Sequence, residues 1–206
     1  MTTKEKILRK INTFYKGKVF ISEDFLDITN TATIRRTLNR LVEDDIIKRV
    51  SKGFYYVPAY SKLIDEYEAV SINELAIAFA RKYNWNIAPS GNTALNILGL
   101  TTQVPINYEY ISSGPYKTYQ VGNRKLAFKR VKQSEIANMS TLSATVIQAI
   151  KAKGENNIDQ DFIKILRGKL STKDIDNLLK ETISAPAWIY ESIKKIGGYN
   201  VKQHTN

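Results

Sequence analysis

The stretch that most constrains this chain runs from Ile28 to Pro58. It opens on Ile28-Thr29-Asn30-Thr31-Ala32-Thr33, a turn whose short polar side chains compete for backbone hydrogen bonds and so mark a helix start. From residue 32 to 43 the apolar residues Ile34, Leu38, Leu41 and Val42 recur at helical spacing, while Thr33, Arg35, Arg36, Asn39 and Arg40 fall on the other faces. Glu43, Asp44 and Asp45 close the helix. Acids there oppose the helix dipole and are expected to point away from any anionic partner. Two β-rich runs follow, Ile46-Ile47-Lys48-Arg49-Val50 and Phe54-Tyr55-Tyr56-Val57-Pro58, joined by Ser51-Lys52-Gly53. A short glycine-containing link between two such runs predicts a hairpin.

Upstream, a Thr2-x-x-Glu5 capping box opens a helix carrying Ile7, Leu8, Ile11 and Phe14, which ends by Gly17. Val19-Phe20-Ile21 has the length of a small strand or connector, and Ser22, with Glu23 and Asp24 behind it, caps a short helix burying Phe25, Leu26 and Ile28. The order helix, helix, turn, helix, basic hairpin is that of a winged helix-turn-helix, in which the third helix enters the major groove and the wing lies on the backbone. On this reading Thr33, Arg35, Arg36, Asn39 and Arg40 contact duplex DNA and Lys48, Arg49 and Lys52 anchor phosphates. Arginine pairs with guanine in bidentate fashion, asparagine pairs with adenine, and threonine meets a thymine methyl. A winged domain used only for protein contacts is the alternative.

Charge agrees with a polyanionic partner. The 206 residues carry 31 Lys and Arg against 20 Asp and Glu, a formal net charge of +11. Residues 1–60 hold 12 basic against 7 acidic side chains, so other parts of the chain contribute to the excess as well. Cysteine is absent, which removes disulfides, thiolate metal sites and cysteine nucleophiles. No apolar run is long enough to span a membrane and no signal-peptide core is visible, so a cytoplasmic location without membrane partners is expected.

The expected architecture is α+β: a winged helix-turn-helix over residues 1–60, a linker or short connecting helix over 61–68, and a second domain over 69–206 with a small antiparallel sheet and a helical C-terminal half. Ser71-x-x-Glu74 starts a helix reaching Tyr83, residues 88–92 read as a turn, and residues 93–98 as a short helix closed by Gly99. Strand-like runs at 108–112, 116–121 and 125–131 form the sheet, and helical patterns follow from Ser134, one of them ending at Gly168. Within 124–132, Arg124, Lys125, Lys129, Arg130 and Lys132 form a second basic run. It reads either as a solvated strand edge that resists pairing or as a second basic functional surface.

The catalytic inventory is poor. The one histidine, His204, stands in the tail. Ser90-Gly91 lacks both the nucleophile-elbow and the phosphate-loop pattern. Asp159/Asp161 and Asp174/Asp176 are spaced two apart and diverge on a helix, as first-turn acids do. Neither enzyme activity, metal nor cofactor is expected. A nucleic-acid-modifying enzyme using the winged helix as a targeting arm is the outlying alternative.

At Ala88-Pro89-Ser90-Gly91, Ala94, Leu98-Gly99-Leu100, Gln103, Pro105 and Tyr108-Glu109-Tyr110, together with Gly53 to Pro58 at the hairpin exit, the chain resembles AbiEi-family antitoxins. These belong to type IV toxin–antitoxin and phage-abortive-infection modules of bacteria. The resemblance implies an N-terminal domain that represses its own operon by binding inverted repeats in the promoter. It also implies a C-terminal domain that neutralises a nucleotidyltransferase-like toxin without a stable complex. A plain winged-helix transcriptional regulator, with a second domain that senses a ligand or partner, is the competing expectation.

Overall fold

Thr2 caps the first helix, α1 (Thr3–Asn12), through the capping box expected: its side chain accepts from Glu5 N, and Glu5 in turn accepts from Thr2 N at 2.8 Å. In the computed structural model, which describes residues 1–63 and 65–199 (for Ser134 the backbone only), the chain divides into two units, Met1–Trp85 and Asn86–Asn206. His204 lies outside the described residues. The protein is α+β.

In the first unit α1 leads to strand β1 (Val19–Ile21), a single 3-10 turn (Ser22–Phe25), and helix α2 (Thr31–Glu43). The expected second helix is thus one turn long. It buries Phe25, but Leu26 is 54% exposed rather than core. Asn30 caps α2, its side chain accepting from Thr33 N at 3.0 Å. Strands β2 (Lys48–Ser51) and β3 (Phe54–Tyr56) form the hairpin, with a bulge between Arg49 and Ser51, and β1 adds to β3 to give the antiparallel order β1-β3-β2. Ile7, Ile11, Phe20, Phe25, Ile34, Leu38, Leu41, Ile47 and Tyr55 make one buried cluster.

Where a linker or short connecting helix was expected over 61–68, two short strands pair. Tyr60–Ser61 (β4) pairs antiparallel with Glu66–Tyr67 (β5), and the rings of Tyr60 and Tyr67 meet edge to face at 5.3 Å. Helix α3 (Ile72–Tyr83) then belongs to the first unit, and the boundary falls after Trp85 instead of within 61–68. The reason is apolar surface on both faces of the sheet. Phe20 and Tyr55 pair across β1 and β3 and face the α1–α2 core, so Ile21 and Phe54 face the other way and need a cover of their own. Phe79 of α3 meets Phe54 at 4.2 Å between ring centres. Arg81 donates to Asp24 Oδ1 at 2.6 Å and to the Val19 carbonyl at 2.9 Å, and Tyr15 donates to Glu74 Oε2 at 2.6 Å.

The second unit begins with β6 (Ile87–Ser90), where a turn was expected, followed by α4 (Gly91–Ile97), β7 (Asn107–Ser112), β8 (Lys117–Val121) and β9 (Arg124–Arg130). The sheet order is β6-β7-β9-β8. Pro89 is tolerated because β6 is an edge strand. The sheet is mixed, not wholly antiparallel: β6–β7 and β8–β9 run antiparallel, but β7–β9 is parallel, from Asn107↔Lys125 to Ser112↔Arg130. Leu126-Ala127-Phe128 is buried throughout, so β9 takes the interior position and the polar β8 is left at the edge.

Helices α5 (Thr141–Lys153), α6 (Gln160–Lys169), α7 (Thr172–Glu181) and α8 (Ala187–Ile196) complete the unit. Gly168 lies inside α6, one residue short of its end. Helix α5 is buried nearly all round, as a central helix must be. Val146 and Ile150 pack with Leu166, Leu178, Ile189 and Ile193, while Ala144 joins Ala88, Ile111 and Ile136 beneath the sheet.

Candidate nucleic-acid interface

Helix α2 turns Ile34, Thr37, Leu38 and Leu41 inward, which leaves two outward flanks. At about 3.6 residues per turn, Arg35 and Asn39 share one flank, and Thr33, Arg36 and Arg40 share the other. The first flank faces the hairpin. Arg35 and Asn39, with Arg49, Lys52 and Gly53, line a groove of about 500 Å³. Arg49 donates from its guanidinium to Asn39 Oδ1, and its carbon Cζ lies 5.5 Å from the centre of the Tyr55 ring. Helix and hairpin are therefore joined at the groove wall.

Lys48 behaves differently from its expected partners. Its ammonium is bound by Asp45, and that hydrogen bond holds it above the ordinary lysine range. Asp44 is taken up by Lys4 of α1 at 2.7 Å, so the two aspartates closing α2 are paired with lysines. Arg35, Arg36, Arg40 and Lys52 have no acidic partner among the described residues.

Of the groove's lining, sequence reasoning named Arg35, Asn39, Arg49 and Lys52 and missed Ser22, Gly53, Tyr55, Lys82 and Tyr83, the last two of which end α3. Lys82 Nζ rests 4.8 Å from the centre of the Phe54 ring. It also reaches the hairpin turn: a Cβ built on Gly53 would stand 2.6 Å from it, and Gly53 holds φ at +81°. That positive φ is what favours glycine at the turn, since the flexible end of Lys82 could shift from a larger residue. With Lys82 the lining holds four cations, Arg35, Arg49, Lys52 and Lys82, and no carboxylate.

The second basic run is not gathered into one surface. On β9, Lys125 and Lys129 point to one face and Arg124 and Arg130 to the other. Lys129 is paired with Glu109 of β7 at 2.8 Å. Lys132 lies past the strand, its backbone N–H donating to Glu135 at 3.4 Å. Nor is the run a strand edge, because β9 is flanked by β7 and β8. Asp159 caps α6 by accepting from Phe162 N at 2.7 Å, and Asp174 completes the Ser171 capping box of α7. Among the described residues no group of three His, Cys, Asp or Glu side chains is placed to hold a metal ion, and no helix is long and apolar enough to cross a membrane.

A family described as one of unknown function, DUF6088, matches residues 6–178. The chain belongs to this family. The match runs from α1 into α7, so the DUF6088 pattern extends over parts of both units and takes in every residue of the groove. No curated protein matches the chain.

Proposed function

We propose that the first unit is a winged helix-turn-helix that binds duplex DNA, with α2 in the major groove and the β2–β3 hairpin as wing. One observation carries this reading: a groove lined by four cations and no acid lies beside a helix whose outer flank adds Arg36 and Arg40. Converging like charges repel one another in the free protein, and a polyanion relieves that repulsion. The major groove is about 12 Å wide and admits one helix, so a helix with basic residues on both outward flanks can touch base edges and phosphates together. In a gel shift on the chain's own promoter, Arg35→Ala with Arg36→Ala removes sequence-specific binding. Unchanged affinity and specificity in that variant would sink the reading.

The role we propose is that of a cytoplasmic autorepressor that is also the antitoxin of a bacterial toxin–antitoxin module. Its support is the resemblance to AbiEi-family antitoxins, carried by residues that fall chiefly on β6, α4, the loop after it and β7. The partners are then promoter DNA with inverted repeats and a nucleotidyltransferase-like toxin met without a stable complex. Co-expression with the product of the neighbouring reading frame tests this. Restored growth of toxin-expressing cells supports the antitoxin role, and undiminished toxicity leaves a plain regulator.

A further inference from the structure

The two flanks of α2 differ in what their side chains have left to offer. Asn39 pairs with adenine by accepting through Oδ1 and donating through its amide nitrogen. In the free protein Oδ1 already accepts from Arg49, so half of that pairing is spent internally. Arg49 is doubly held, by Asn39 and by the face of Tyr55. Lys82 is set over Phe54 and against the Gly53 turn by a helix outside the winged-helix pattern. To meet a base edge these groups would have to give up those contacts, whereas a phosphate can be received beside them. Thr33, Arg36 and Arg40 carry no such ties among the described residues, since Asn30 takes only the backbone N–H of Thr33.

We infer that the groove between α2 and the β2–β3 hairpin is a clamp for the phosphodiester backbone of one DNA strand, completed by Lys82 of α3, and that Thr33, Arg36 and Arg40 on the opposite flank read the sequence. The inference rests on the DNA-binding reading above and divides its residues into two jobs. Phosphate contacts set affinity and its salt dependence, whereas base contacts set specificity. Lys82 is the discriminating residue because it lies on α3 and belongs to neither α2 nor the hairpin.

The test titrates the full chain with the promoter duplex and with a scrambled duplex of equal length, over a range of salt concentrations. In Lys82→Gln both affinities fall by the same factor, on the order of tenfold, and the log–log salt slope shrinks in magnitude by about 0.9. Lys82→Arg restores both. In Arg36→Ala with Arg40→Ala the preference for the promoter collapses while binding to the scrambled duplex falls only by the loss of charge. Thermal unfolding of each variant confirms that it folds. A Lys82→Gln loss confined to the promoter duplex, or an unchanged slope, overturns the clamp while leaving DNA binding intact. Inorganic phosphate that saturates the groove without weakening duplex binding assigns the site to a small anion and also overturns it. A wild-type chain that binds neither duplex overturns the DNA-binding reading itself.

Discussion

Asn39 Oδ1 accepts the guanidinium of Arg49, which ties the outer flank of α2 to the first strand of the hairpin. Both side chains are exposed, so the link orders the groove more than it stabilises the fold. Asn39→Ala is expected to lower unfolding free energy by no more than about 1.5 kcal/mol. It also releases the Arg49 side chain, which NMR of the guanidinium reads as faster motion. A loss several times larger would mean that the link holds the unit together.

Phe79 is a different case. It is 1% exposed and packs on Phe54, so Phe79→Ala leaves a cavity between α3 and the sheet. A destabilisation of about 3–5 kcal/mol is expected in urea unfolding of the first unit. Ile77→Ala, on the exposed side of the same helix, changes stability little. Equal small effects would detach α3 from the first unit.

The division after Trp85 separates what local pattern can reveal from what it cannot. Helix α2 and the hairpin are legible because their signals are local: an apolar stripe at helical spacing, a polar turn before it and a glycine turn after. That α3 joins them is non-local. The signal for it is present in Val19-Phe20-Ile21 and Phe54-Tyr55, runs apolar on both faces, which demand a cover on each side. Placing α3 in a second domain is why Lys82 and Tyr83 were missed. Leu126-Ala127-Phe128 carries a similar signal: three successive buried residues mark an interior strand, whereas the turn pattern alone suggests a simple meander. Ties such as Lys48 to Asp45 depend on side-chain rotamers and have no sequence signature.

Glu181 links α7 to the start of α5. Burial pushes its carboxyl up, but hydrogen bonds from Ser143 and from the backbone and hydroxyl of Ser140 outweigh this and hold it below its ordinary value of 4.5. A carboxylate depressed in the folded state stabilises above its unfolded value and loses that contribution as pH falls through the folded one. The urea midpoint of the second unit should therefore decline as pH drops below 4.5. In Glu181→Gln that component of the decline is absent, while the Asp174 cap keeps one in the same direction. Superimposable pH profiles would contradict the assignment.

Tyr15 titrates at the other extreme. Burial, then the hydrogen bond to Glu74 and the Glu74 charge, raise its phenol from 10.0 to about 12. The raised value favours the neutral phenol in the folded state. Its contribution to stability is complete below 10.0 and is lost as pH rises through about 12. Phenolate formation followed by NMR should place Tyr15 well above the ordinary tyrosine value, and Glu74→Gln should bring it back toward 10.0. An unchanged titration in the Glu74 variant would rule out Glu74 as a cause of the shift.

Whether the first unit reads duplex DNA with α2 is decided by fluorescence anisotropy of the labelled promoter duplex against an equal-length scrambled duplex, repeated across salt concentrations. A preference for the promoter of about 10³ or more is expected, with affinity that falls steeply with salt, by about 0.9 in log–log slope per phosphate neutralised. Equal affinity for the two duplexes, or binding indifferent to salt, would contradict DNA reading by α2.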